Sequence, residues 1–242
     1  MRVSRMRTAV FCALWLFVSV GRASTDPSPA SRGANDWHFS LREDVTRIFS
    51  ARGLIVLGTG AALSAGALAI EDPAAQARAL DGLHDVPDVG NVYGSPVVVV
   101  GGAATLALFG KLTHRPTFTT AGVDLARSFA YSATLVGAMK VTFDRTRPDG
   151  ERFSFPSGHA AAAFSTAPVL THHFGKLAGA AAYALAGATA LGRMEDRKHY
   201  LSDVVFGAAL GFAVGDAIAG QRRGAGPRVL IDGDRVGVQV EF

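Results

Sequence analysis

Apolar positions along the chain collect into six segments, near residues 53–70, 95–110, 120–143, 158–171, 177–192 and 201–219. Ala, Gly and Leu dominate them, and their lengths suit helices better than strands. So many small residues predict helices packed closely together. Before them, Leu41 to Phe49 has the pattern of a short amphipathic helix. Residues 71–96 read as a long acidic connection containing Asp81, Asp85 and Asp88. Gln221-Arg222-Arg223-Gly224-Ala225-Gly226-Pro227 breaks the last segment. The period then changes to two: Val236, Val238, Val240 and Phe242 alternate, and Asp232-Gly233 is a hairpin signal. The expected fold is all-α, a six-helix bundle with a short C-terminal β-hairpin. A terminal Phe after alternating residues also resembles an outer-membrane strand, but two strands cannot close a barrel.

Residues 1–23 have the form of a secretory signal peptide. Arg2, Arg5 and Arg7 precede an apolar run from Ala9 to Val20, and Gly21-Arg22-Ala23 offers a cleavage site. The expected organisation is a leader at 1–23, an N-terminal segment at 24–52, a helical domain at 53–220 and a hairpin tail at 221–242. The leader changes the charge picture. Four of the 24 cationic residues (Arg2, Arg5, Arg7, Arg22) lie in it and no acids do, so the remainder holds 20 cations against 20 acids. A neutral mature chain gives no reason to expect nucleic acid as a partner. Cys12 is the single cysteine and falls in the leader, which excludes disulfides and thiolate metal sites from the mature chain.

Several segments are 16–18 residues long, marginal for a span of roughly 20 residues. Asp124, Arg127, Asp203 and Asp216 interrupt two of them. A cleaved leader would also leave the mature N-terminus outside, so three spans would carry the block at 140–148 back to the cytoplasm. These points favour a bundle wholly in the periplasm that touches a membrane. An integral inner-membrane protein is the alternative, because Arg42, Arg47 and Arg52 form a positive flank before the first segment.

Three short blocks carry the candidate chemistry. In Lys140-Val-Thr-Phe-Asp-Arg-Thr-Arg147-Pro148 the two cations are seven residues apart, close to two helical turns, so both can leave one helix end, with Pro148 as the stop. They offer a point charge and a planar fork to a tetrahedral anion. In Pro156-Ser157-Gly158-His159, Ser157 is a good N-cap, Gly158 lets a ligand approach the backbone, and free N–H groups of the first turn form an anion site beside His159. In Arg193-Met-Glu-Asp-Arg-Lys-His199-Tyr-Leu-Ser-Asp203, a His and an Asp four apart share a helix face. Asp203 can fix the imidazole tautomer and leave the other nitrogen free as a nucleophile. Arg193 adds a third cation. Asp144, Arg145, Arg197 and Lys198 flank the blocks and read as solvated charge, and Tyr200 as packing or pocket lining. His38, His84, His114 and His172-His173 have no metal-ligand spacing. Arg115-Pro116 repeats the Arg-Pro pair, but Leu108 stands where the Lys would be.

Taken together, the blocks resemble the phosphatidic acid phosphatase type 2 superfamily, which includes bacterial acid phosphatases, lipid phosphatases and vanadium haloperoxidases. Its pattern is Lys, six residues, Arg-Pro; Pro-Ser-Gly-His; and Ser-Arg, five residues, His, three residues, Asp. The chain matches at Lys140, Arg147, Pro148, Pro156, Ser157, Gly158, His159, Arg193, His199 and Asp203, and departs only at Gly192, where Ser is usual. The resemblance implies a metal-independent phosphatase with no cofactor, acting on a phosphorylated small molecule or lipid. It implies that His199 attacks phosphorus, His159 serves as acid and then base, and Asp203 supports His199. Lys140, Arg147, Arg193 and the backbone at Ser157 and Gly158 would hold the phosphate oxygens. A vanadium-dependent haloperoxidase and a non-catalytic phosphate-binding protein are the rival readings.

Overall fold

The computed structural model describes residues 41–80, 85–220, 228–232 and 235–239. The expected leader (1–23) and the segment 24–40 lie outside these residues. Among the described residues the chain forms nine helices: α1 Leu41–Ile48, α2 Ala51–Leu68, α3 Pro73–Leu80, α4 Asp85–Tyr93, α5 Pro96–Leu112, α6 Pro116–Phe143, α7 Gly158–Phe174, α8 Lys176–Glu195 and α9 Leu201–Ala219. Strands β1 (Arg228–Asp232) and β2 (Arg235–Gln239) pair antiparallel, with Asp232 opposite Arg235.

The class is all-α, as the apolar pattern predicts, but the count of six is exceeded. The expected acidic connection at 71–96 is instead largely helical, holding α3 and α4. Its start signal is local. Pro73 opens α3, and Asp72 Oδ1 accepts the N–H groups of Ala74 at 2.9 Å and Ala75 at 3.0 Å. Asp72, an acid of this stretch, serves as the cap.

Helix α7 is the central element and packs against α6, α8 and α9. Helix α2 lies on α9, α5 on α6, and α4 on α8. Ala160, Ala161 and Ala163 of α7 are fully buried. Close approach of α9 explains why only small residues fit. A Cβ at Gly207 would meet the Ser157 carbonyl oxygen at 2.5 Å, at Gly211 the Ala161 oxygen at 2.2 Å, and at Gly215 the Ser165 oxygen at 2.3 Å. These three glycines, each four residues from the next, let two helix backbones touch along one seam. Beside the seam, Ile48, Val136, Ala161, Leu210, Val214 and Ile218 form the main apolar cluster.

The hairpin-like path from α6 to α7 and from α8 to α9 brings four helix ends to one end of the bundle, and all three sequence blocks lie there. The opposite end holds a buried polar cluster. Arg127 on α6 grips both oxygens of Asp44 on α1 at 2.5 and 2.6 Å and reaches Asp124 at 3.3 Å. Tyr131 donates to Asp44 at 2.7 Å, and His173 Nε2 lies 2.9 Å from Asp124. Asp44 and Asp124 are fully buried, and anions placed there need these partners.

Gly211→Ala should therefore destabilise the protein by about 1–3 kcal/mol, because the added methyl meets backbone that has to move. Gly187→Ala on α8 has nothing within 4 Å of the new Cβ and should stabilise by up to about 1 kcal/mol through helix propensity. Denaturation midpoints of the two variants measure the contrast; equal shifts in one direction would contradict the close seam.

Candidate active site

Lys140 occupies the last turn of α6, but the helix ends at Phe143, five residues before Pro148. Asp144 terminates it in the left-handed region at φ 44°. Arg147 consequently lies outside the helix, and the expected reach of both cations from one helix end does not hold. Loop geometry brings Arg147 to the site instead: its N–H bonds the Glu151 carbonyl at 2.7 Å and its Nη1 donates to Glu151 Oε2 at 2.6 Å. Lys140 Nζ donates to the Phe153 carbonyl and, at 3.4 Å, to that of Ser154. Phe153 sits at φ 67°, a costly conformation for a bulky residue, and such strain collects at functional loops.

Ser157 is the N-cap of α7, its Oγ accepting the Ala160 N–H at 3.4 Å. Its own N–H is committed to the Asp203 carbonyl at 3.0 Å. Ser157 is thus a scaffold contact, and its backbone N–H is not available to an anion as the resemblance implied. The first-turn donors that lack carbonyl partners by helix geometry are those of Gly158 and His159. Gly158 has ordinary contact distances, with Val136 Cγ1 3.5 Å from a notional Cβ.

His199 also departs from expectation. Helix α9 begins at Leu201, with Tyr200 as its N-cap, so His199 precedes the helix and the shared-face spacing is not what joins it to Asp203. Asp203 sits at the third helical position and reaches back: Oδ2 accepts the Tyr200 N–H at 2.9 Å, half of a capping box. His199 Nδ1 lies 3.7 Å from the same oxygen, ion-pair distance but longer than a hydrogen bond. The His199 N–H is anchored on the Arg193 carbonyl at 3.1 Å, which ties the proposed nucleophile to the third cation.

Arg193 Nη1 donates to Asn91 Oδ1 at 3.3 Å and to Asp196 Oδ2 at 3.1 Å, and Asn91 Nδ2 donates to Asp196 at 2.9 Å. Asn91 belongs to α4, inside the stretch that the sequence presents as a connection. Arg145 is the other residue missed. Rather than solvated charge, it bonds Asp203, Ser202 and Glu71. Neither contact has a local sequence signal, since each joins elements 50 or more positions apart.

Two properties suit the place to an anion. First, Arg147 Nε and Arg193 Nε are buried and have no hydrogen-bond partner among the described residues. Buried donors left unpaired are uncommon and costly. Second, Arg193, His199, Lys140 and Arg147 all act electrostatically on His159, so the two histidines and three cations share one small volume. His199 is 3% exposed. Burial, with Lys140 and Arg193 close by, pulls its pKa down to about 4 against the opposing pull of Asp203. Its ring is therefore neutral at ordinary pH, the form a nitrogen nucleophile needs.

The sequence model of the PAP2 superfamily matches residues 149–225. That span contains Pro156-Ser157-Gly158-His159, Arg193, His199 and Asp203, while Lys140 and Arg147 precede it. The chain therefore carries the PAP2 superfamily segment that holds these histidines. A lipid A 1-phosphatase of Porphyromonas gingivalis is 38% identical over 98 residues, 39% of this chain and 22% of that protein, so the chain matches about a fifth of its relative's length. Among solved structures, Aquifex aeolicus LpxE is similar at 25% identity, covering 55% of this chain and 84% of its own, with a TM-score of 0.46. A transmembrane PAP2 type phosphatidylglycerolphosphate phosphatase from Bacillus subtilis is 22% identical, covering 76% and 92%, with a TM-score of 0.49.

In a histidine-labelled sample followed by NMR, the His199 ring should stay neutral as pH falls to about 4. Titration near 6.5, the ordinary histidine value, would contradict its burial.

Proposed function

We propose that this chain is a metal-independent phosphatase that removes phosphate from a lipid phosphate or lipid pyrophosphate through a phosphohistidine on His199. The observation that carries this reading is the set of buried, unpaired Arg147 and Arg193 donors gathered around a neutral, buried histidine. In the first step the free nitrogen of His199 attacks phosphorus. The bond to the leaving oxygen breaks, and His159, protonated once the negative charge of the bound phosphate offsets the surrounding cations, gives that oxygen its proton. Asp203 faces Nδ1–H and supports the positive charge that develops on the ring. In the second step His159 takes a proton from water, the hydroxide oxygen attacks phosphorus, and the phosphorus–nitrogen bond breaks. Lys140, Arg147, Arg193 and the first-turn N–H groups of α7 hold the three equatorial oxygens, where charge spreads in the transition state.

A lipid substrate is favoured over a soluble one by the relative's activity on lipid A and by the outer surface of the bundle. Helices α2 and α9 are long and apolar enough to cross a membrane by length and composition. Helix α2 exposes Leu54, Ile55, Leu63 and Leu68, and α5 exposes Val97, Val100, Leu108 and Leu112, with Val97 81% and Ile55 69% exposed. Apolar surface of this extent on two separate helices suits acyl chains. Three of the four charged residues that argue against spanning do not face outward. Asp124, Arg127 and Asp203 turn inward and are paired, the pattern expected inside membranes; Asp216 is part-exposed and pairs with Arg52 at 2.8 Å near the end of α9. This favours the integral reading over a bundle wholly in the periplasm.

The full chain, in detergent and excess chelator, should release phosphate from a polyprenyl pyrophosphate or lipid A, and His199→Ala should lower turnover about a thousandfold or more. Turnover unaffected by His199→Ala, or lost with chelation, would overturn the mechanism. Bromide oxidation with added vanadate would favour the haloperoxidase reading, and no reaction with any substrate the phosphate-binding one. Membranes from expressing cells test location separately. The protein should resist carbonate extraction; release by carbonate would contradict embedding.

A further inference from the structure

We infer that Arg145, braced by Glu71, is a positioning residue that aims the Asp203 carboxylate at His199. Arg145 lies between the two cations of the first block and touches neither histidine. Its Nη1 donates to Asp203 Oδ1 at 2.7 Å and to Ser202 Oγ at 2.7 Å. Its Nη2 donates to Glu71 Oε2 at 2.6 Å. The guanidinium carbon also lies over the Tyr200 ring, 4.0 Å from its centre. Glu71 is itself fixed, because Oε1 accepts the Ser202 N–H at 2.8 Å. Glu71 and Asp203 are 7% and 0% exposed at their side chains, so the cation is clamped between two buried anions.

The two oxygens of Asp203 have divided duties. Oδ1 is held by Arg145. Oδ2 accepts from Ser154 Oγ and Tyr200 N–H and faces His199 Nδ1. A carboxylate can pivot about its last bond. With Oδ1 pinned by a planar fork, the rotation that would carry Oδ2 away from His199 is blocked. Glu71 stops the fork from swinging toward the phosphate, where Lys140, Arg147 and Arg193 already supply charge. Arg145 thus acts through Asp203 on the ring and not on the substrate. This inference rests on the reading of His199 as nucleophile.

The test compares Arg145→Lys, Arg145→Met and Glu71→Gln with His199→Ala in steady-state phosphate release from the same lipid phosphate. Arg145→Met should lower kcat about 100-fold, the cost of a misplaced reacting group, with KM within about threefold of the parent, the split expected when an interaction acts on the transition state and not on substrate binding. Arg145→Lys should restore little, since an ammonium cannot bridge Asp203 and Glu71 in one plane. Glu71→Gln should lower kcat by a smaller factor, and adding it to Arg145→Met should cost little more, because the two act as one unit. A raised KM with kcat preserved would make Arg145 a phosphate ligand and overturn the inference, as would full rescue by Lys or independent, multiplying losses. If Arg145→Met fails to fold, the Glu71→Gln result decides: an unchanged kcat overturns the proposal. Failure of the nucleophile reading would show separately, as turnover surviving in His199→Ala.

Discussion

The Asp203 carboxylate is the contact on which the site depends. It is fully buried, and an anion taken out of water has to be matched by donors. Four are supplied from two parts of the chain: Arg145 Nη1 and Ser154 Oγ from the α6–α7 loop, and Tyr200 N–H with, at longer range, His199 Nδ1 from the approach to α9. The Asp203 carbonyl adds a fifth contact by accepting the Ser157 N–H. One residue thereby fastens all three blocks to a single point. Meeting the electrostatic need of Asp203 assembles the site.

Backbone proximity makes that fastening possible. The Gly207–Gly211–Gly215 seam brings α9 onto α7 closely enough for the carbonyl of one helix start to reach the cap of the other. Larger residues there would push Asp203 away from Ser157. The same close packing leaves little water around His199 and holds its ring neutral. Packing, hydrogen bonding and protonation state thus share one cause, and the Ala- and Gly-rich composition of the helices is where it is written.

Much of this was legible in the sequence, and the gaps have physical reasons. The apolar periodicity located the six long helices, and the blocks located the site residues at helix ends. The reach of Arg147 was misjudged because an aspartate in the left-handed conformation ends α6 before Pro148, and Asp144 carries no signal as strong as a proline. His199 and Asp203 meet for a different reason than spacing suggests, since an acid at the third position of a helix turns back over its start. Asn91 and Glu71 were invisible because they act across long separations. Arg145 looked like surface charge until its two carboxylate partners were placed beside it. The acidic composition of 71–96 suggested a loop, while Asp72 and Pro73 were the better local guides.

The central claim is a covalent bond between phosphorus and His199, and a rapid-quench trap tests it most directly. Protein mixed with a lipid phosphate labelled in its phosphoryl group, stopped in alkali where phosphohistidine survives and then digested, should yield label on the peptide containing His199. The label should be absent in His199→Ala, and it should accumulate in His159→Ala on a substrate whose leaving group needs no protonation. Label on another residue, or turnover with no labelled protein at any quench time, would contradict the account.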